Sequence, residues 1–311
     1  MPLTLPRGRA ITSLMSQAQT PTIFDRKLLR LRLQRAIRSG AADFLLERVA
    51  EDLEERLGAV LRPFDHALDL GTASPAVVAR LSKREPKRLV HAAPVMEALS
   101  AGAWLNLVAD EEALPFADQS FDLITSALSL QHVNDLPGAL VQIRRCLRPD
   151  GLFLGCFMGG QSLNELRAVL AEAEEEITGG VSPRVAPFVD LRDLGALLQR
   201  AGFTLPVTDV DTITVRYDHL FALAHDLRAM GATNALMLRD ERGLSKTVLL
   251  RAAELYQQKF ADPDGRVRAT FEIVWLSGWS HHESQQKPLK PGSAKMRLAD
   301  ALKTTEGKLQ G

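Results

Sequence analysis

"LDLGTASPAV", residues 68–77, reads as a strand running into a turn and then a helix. The apolar run ends in Asp69-Leu70-Gly71, and a glycine there can take a positive φ or let a ligand approach the backbone closely. Thr72 and Ala73 continue the turn. Ser74 has the chemistry of an N-cap and Pro75 that of a first helical residue, so the segment predicts a helix N-terminus just beyond the strand.

Working outward, short apolar runs recur at 66–71, 87–93, 104–110, 121–130 and 151–158, most of them followed by helix-forming sequence such as residues 137–147. Strand and helix alternating at this spacing predict crossover connections, and hence a parallel sheet covered on both faces. After the fifth strand come a helix at 162–177, with Ser162 as its N-cap after Gly159-Gly160, and another at 190–200 that stops at Gly202. The stretch 207–217 alternates with period two, which predicts an antiparallel edge strand, and a final strand is read at 269–279. Helical segments at 218–230 and 244–260 lie between these two strands. Upstream, residues 24–57 contain Gly40 as their sole glycine and no proline, and Leu45, Val49, Leu53 and Leu57 recur every fourth residue. Two amphipathic helices meeting at Gly40 follow. The organisation expected is a flexible N-terminus (1–23), one domain (24–280) with a helical extension (24–60) and a helical insertion (218–260), and a mobile tail (281–311) rich in Lys, Gln, Ser, Pro and Gly.

Composition narrows the partners. Lys plus Arg and Asp plus Glu number 38 each, so there is no net field to draw in nucleic acid or an anionic membrane, and recognition must be local. No apolar run approaches the ~18 residues that span a bilayer, which leaves at most peripheral membrane contact. Cys146 and Cys156 sit among apolar neighbours and are not in a C-x-x-C pattern, as expected of buried thiols in a reducing compartment. Arg7 and Arg9, with no acid before Asp25, suit either a bacterial N-terminus or a short mitochondrial transit peptide, so the compartment is read as cytoplasmic in a bacterium or matrix in a eukaryote.

In open parallel sheets, ligands bind beyond the carboxyl ends of the strands. Those ends carry Asp69-x-Gly71, "VADEEALPFADQSFDLI" (108–124) and "HVNDLPGALVQIRRCLRPDGLF" (132–153). Together they resemble the class I S-adenosylmethionine-dependent methyltransferases. The resemblance implies an α/β, Rossmann-like fold with a mostly parallel seven-stranded sheet and helices on both faces. It also implies a cofactor site drawn from Asp69, Gly71, Thr72, Ala73, His91, Asp110, Glu111 and Ser126, with the acids after the third strand against an adenine. The sequence departs from the family pattern in two places. Ala73 and Pro75 stand where the first loop carries further glycines, and residues 90–96 hold no acid where a carboxylate grips both ribose hydroxyls. His91 is the polar side chain left there. Losing such a charge-assisted contact costs about 1–3 kcal/mol, so S-adenosylmethionine is expected to bind weakly or not at all.

A narrower resemblance rests on "LQHVNDLPGAL", "MGGQSLNELR", "SPRVAPF" and "HES-Q", which a generic methyltransferase does not require. From about Phe24 to Pro291 the chain is similar to the respiratory complex I assembly factor 5 family. That resemblance implies a part in complex I assembly, with a core subunit or assembly intermediate as partner, and hydroxylation of a subunit arginine on a methyltransferase-like scaffold. Two other functions stay open: methyl transfer to a small or carrier-bound acid, and a non-catalytic assembly chaperone. A guanidinium is best met by a bidentate carboxylate, so Asp135 and Glu165, with Asn134, are the substrate-binding candidates beside Asp110 and Glu111. Asp135 has equal standing as a helix cap. No catalytic residue can be named. His281, His282 and Glu283 are adjacent and point in different directions, so they do not compose an iron triad, and no metal site is expected.

Overall fold

The computed structural model describes residues 22–187 and 191–285, with backbone alone at 191–193. Two helices lead, α1 (Arg26–Arg38) and α2 (Phe44–Gly58), parted where Gly40 takes φ +91°. The decisive segment follows as β1 (His66–Leu70) and α3 (Ala76–Ser82). Then come β2 (Arg88–Ala93), β3 (Leu105–Val108), β4 (Phe121–Ala127), α4 (Leu136–Cys146), β5 (Leu147–Met158) and α5 (Asn164–Thr178). The chain continues through α6 (Leu191–Arg200), β6 (Phe203–Tyr217), α7 (Leu220–Ala229), α8 (Lys246–Phe260) and β7 (Val267–Ser280). Residues 1–21 and 286–311, which carry most of the expected flexible N-terminus and tail, and residue 190 lie outside the described residues.

The strands form one sheet in the order β3-β2-β1-β4-β5-β7-β6. The first five neighbours are parallel; β7 runs antiparallel between β5 and β6, leaving β6 as the alternating edge strand. Successive side chains of a strand face opposite ways, so Leu123 and Leu152 enter one core, and Ile124 and Phe153 the other. The first core is closed by α2, α3, α5, α7 and α8, with Leu53, Val77, Val169, Leu223 and Tyr256 in it. The second is closed by α4 and α6 through Leu140, Ile143, Leu194 and Leu198. Each such fully buried aliphatic side chain stabilises the fold by about 1.5–3 kcal/mol, which makes the sheet a rigid base for whatever sits on its edge. Cys146 and Cys156 are both buried free thiols, and burial pushes Cys156 up to about 12.

Several boundaries differ from expectation for local reasons. β4 ends at Ala127, because Leu128 turns to φ +50° and a 3-10 turn, Leu130–His132, follows. β5 begins early: Arg148-Pro149-Asp150-Gly151 is absorbed as an irregularity between the Phe121↔Leu147 and Leu123↔Leu152 pairs, with Asp150 at φ +61°. β6 also starts early, at Phe203, with its irregularity between Thr204 and Val207. Pro75, rather than Ser74, is the cap of α3: its carbonyl accepts the Ala79 N–H at 2.9 Å, while the Ser74 hydroxyl accepts from Ala76 at 3.3 Å. Ser162 is not the cap of α5. Leu163 at φ +54° precedes that helix, and the buried Ser162 hydroxyl bridges to β7, donating to the Glu272 carbonyl and accepting its N–H at 3.1 and 3.0 Å.

Candidate functional site

Three layers meet over the carboxyl ends of β1 to β4. The floor is the first loop. Gly71, at φ +79°, donates its N–H to the Ala92 carbonyl at 2.6 Å, which joins the loop to β2. Beneath it Asp69 is fully buried; its Oδ1 accepts the Thr72 hydroxyl at 2.6 Å and the Thr125 hydroxyl at 3.3 Å. Burial raises Asp69 to about 6 against the opposing effects of His91, Thr72, Thr125 and the Val78 N–H. His91 lies under the loop, its Nε2 3.1 Å from the Thr72 carbonyl oxygen and 3.9 Å from Asp69 Oδ2. It stands mid-strand with Ala92 and Ala93 beyond it, so it faces the loop from below rather than the space past β2. Asp69, Thr72, His91 and Ser126 are all fully buried and none lines the cavity above.

The wall is the acidic turn after β3. Gln142 of α4 pins it, donating to the Glu112 carbonyl at 2.7 Å and accepting the Leu114 N–H at 3.0 Å. Glu112 Oε1 accepts the backbone N–H groups of Asn134 and Asp135. So fixed, three consecutive carboxylates meet the first turn of α1. Arg26 pairs with Asp110, Glu111 and, at 3.0 Å, Glu112, and Arg30 pairs with Asp110. Burial works to raise Asp110, but the Glu112 N–H, Arg30 and Arg26 outweigh it and hold the carboxyl below the usual range. Burial likewise works to lower Arg26, and Glu111, Asp110 and Glu112 raise it on balance. Glu111 also accepts the Ser129 hydroxyl at 2.7 Å, and both lie directly on Gly71. A Cβ there would collide with Ser129 and come within 2.9 Å of Glu111 Oε1.

The roof joins the N-terminal extension to the insertion. Asp25 caps α1 by accepting the Leu28 N–H at 3.0 Å, and its own N–H donates to the Ala235 carbonyl at 2.8 Å. Phe24 bridges Leu236 in antiparallel fashion, and Met237 donates to the Ile23 carbonyl at 2.8 Å. Asn134 Oδ1 accepts the N–H groups of Ile23 and Phe24 at 2.7 and 2.8 Å, and its Nδ2 donates to the Phe24 carbonyl at 3.2 Å. Phe24 packs edge-on to His132 at 5.5 Å, and burial, then Arg26, pushes that imidazole down to about 4.

Floor, wall and roof enclose a cavity of about 360 Å³. Leu29, Leu45, Met158, Leu166, Leu227 and Phe271 make much of its lining apolar, while Arg26, Arg30, Glu111, Ser129, Gln131 and Arg184 are among the polar residues on it. Of the residues singled out from sequence, Gly71, Ala73 and Glu111 line it. Asn134 clamps the roof, Asp135 caps α4 by accepting the Gly138 N–H at 2.9 Å, and buried Glu165 bonds the Thr270 hydroxyl and its N–H. Each of the three is engaged within the fold, and none lines the cavity. His281, His282 and Glu283 are exposed past β7, where His282 Nδ1 meets the Ser284 hydroxyl at 2.6 Å. Among the described residues no group of His, Cys, Asp or Glu is arranged to hold a metal. Sequence reading missed Arg26, Arg30, Ser129, Gln131 and His132. The signal available was a pair of arginines four apart after the capping Asp25, which marks one helix face without naming its partner.

The methyltransferase resemblance implies an adenosyl cofactor met by acids at the wall and by a carboxylate at the end of β2. In this arrangement the wall acids are taken up by two guanidiniums, Ala92-Ala93 ends β2, and Ser129 and Glu111 lie on the glycine. These groups depart from the pattern that the methyltransferase resemblance implies for an adenosyl site.

Residues 68–155 match the family described as a methyltransferase domain. Over 308 residues, covering 95% of this chain and 94% of the relative, the sequence is 38% identical to the mitochondrial arginine-hydroxylase NDUFAF5 of Danio rerio. It is 34% identical over 261 residues to the malonyl-[acyl-carrier protein] O-methyltransferase of Halorhodospira halophila, covering 81% of this chain and 86% of that one. Among solved structures, the YcgJ protein of Bacillus subtilis superimposes with a TM-score of 0.52 at 14% identity, covering 75% of this chain and 98% of that one, which speaks to the fold alone.

Proposed function

The chain belongs to the NDUFAF5 arginine-hydroxylase family, and from that premise we propose that it serves the assembly of respiratory complex I by modifying an arginine of a core subunit. The observation that carries this reading is the extent of the likeness. It runs over 95% of the chain, well beyond residues 68–155, and so takes in α1 and the insertion that roof the cavity. Selectivity resides in segments laid over a rigid sheet, and this roof is placed to select what enters. The partner is an assembly intermediate or subunit that presents an arginine. Among the described residues no helix is long and apolar enough to cross a membrane, so contact with a membrane-bound intermediate would be peripheral.

S-adenosylmethionine is proposed to bind weakly or not at all, and no step is routed through it. Mass spectrometry of complex I core subunits from a deletion strain tests the reading. An arginine that loses the mass of one oxygen in the deletion supports it, and one that loses the mass of a methylene points to methyl transfer instead. An unchanged arginine together with lost complex I leaves a chaperone. A second reading, methyl transfer to a carrier-bound acid, is favoured by the identity to the acyl-carrier O-methyltransferase. Calorimetry with S-adenosylmethionine and its demethylated product decides on that one, since absence of binding at millimolar ligand removes it.

A further inference from the structure

The acidic wall holds a guanidinium already. Asp110, Glu111 and Glu112 converge on Arg26, which comes from a helix 84 residues earlier in the chain, and Arg26 and Glu111 both line the cavity. Two further observations concern the cavity and its acids. Gln131 lines the cavity and is 8% exposed; its Nε2 donates to the Leu128 carbonyl at 2.8 Å, while its Oε1 is buried with no partner. A buried carbonyl oxygen without a partner, on a residue that lines the cavity, asks for an N–H donor. Charge at the wall leads the same way, because its three carboxylates face two guanidiniums, those of Arg26 and Arg30, while Arg184 elsewhere on the lining is paired with Glu174 and Arg228 is exposed. The apolar lining beyond suits the three-methylene stem of an arginine, whose planar head matches paired carboxylate oxygens as a lysine ammonium does not.

We infer that Asp110, Glu111, Glu112 and Gln131 form the receiving end for the substrate's arginine, and that Arg26 occupies it as an internal stand-in until a partner's arginine displaces it. The inference rests on the reading of the protein as an arginine-modifying assembly factor and assigns the residues that recognise the guanidinium. It also assigns a role to Asn134: by clamping residues 23 and 24 it keeps Arg26 in place.

Titration calorimetry on the full chain, with a blocked peptide bearing a single arginine as the probe, tests this. Arg26→Gln is expected to bind the peptide about tenfold more tightly than the unaltered chain, because the competitor is gone. The same peptide with citrulline or lysine should show no such gain, and Glu111→Gln added to Arg26→Gln should abolish it. Unchanged or weaker binding by Arg26→Gln, or an equal gain with lysine, overturns the inference. Should Arg26→Gln fail to fold, Asn134→Ala loosens the clamp and keeps all five charges; about threefold tighter binding supports the stand-in, and none refutes it. The two readings fail separately. If core-subunit arginines are modified in the wild type yet neither variant binds the peptide more tightly, the stand-in is wrong and the function stands. If the variants bind as expected and no arginine is modified in any strain, the function is wrong and the guanidinium site stands.

Discussion

The first loop and the acidic wall lie on the same strand ends, yet they are held by opposite means. The loop is self-contained: Gly71, Thr72 and Asp69 are fixed by bonds within it or to the strands on either side. The wall gets its charge partner from α1, far away in the chain, and its anchor from Gln142 on α4. A region held by its own backbone can keep its shape after losing its ligand. One held by distant side chains keeps its shape only while those partners stay, so the wall rather than the loop is where function can change.

The largest break in that comparison is expected at Arg26. Glu111 is 4% exposed at its side chain, and removing its cation leaves a buried charge unpaired. Arg26→Ala should therefore lose about 3–5 kcal/mol in urea unfolding, part of which added arginine or guanidinium at low concentration should restore. On the loop side, Gly71→Ala places a Cβ at φ +79° against Ser129 and Glu111 and should cost about 2–3 kcal/mol. No small solute should restore that loss, because its origin is backbone strain and overpacking. Rescue of Gly71→Ala by guanidinium, or none for Arg26→Ala, would erase the distinction.

The same contrast governs what could be read from sequence. The strand-turn-helix at 66–82, the alternation of β6 and the split at Gly40 all follow from residues within a few positions of one another, and local periodicity reveals them. The exact cap at Pro75 and the early start of β5 were not legible, since a proline ring and a bulge at Asp150 shift a boundary by amounts periodicity does not encode. Asp110 and Glu111 could be picked out as acids at a strand end. That they face Arg26 could not, because nothing in "DEE" or "DRKLLR" specifies which helix crosses which turn. For the same reason nothing near Glu165 in the sequence reveals that Thr270 of β7 occupies its carboxylate.

Acid and base titrate the two regions in opposite directions. Asp69 under the loop has a folded value of about 6, above its ordinary 3.8, so its stabilising contribution is complete below the lower value and is lost as pH rises through about 6. His132 under the roof has a folded value of about 4, below its ordinary 6.5, so its contribution is complete above the higher value and is lost as pH falls through about 4. Asp69→Asn should remove the loss on the way up, about 3 kcal/mol at most, and His132→Gln should flatten the fall on the way down. Urea unfolding at several pH values between 4 and 7.5 (roughly the window set by these two groups) reads both slopes. A shared slope in both variants would mean that neither group is the source.

Arg30 gives the smallest effect and the sharpest control. It carries the same charge as Arg26, one helical turn later, and meets the same Asp110, but Arg30 and Asp110 are 36% and 35% exposed at their side chains. Water screens such a pair, so Arg30→Ala should change stability by less than about 1 kcal/mol, several times below the Arg26 variant. If both variants lost the same amount, the cause would be the net charge of the wall rather than the burial of Glu111. A small loss at Arg30 beside a large one at Arg26 would place the stabilising contact at one buried carboxylate. That is the position where an incoming guanidinium has the most to replace.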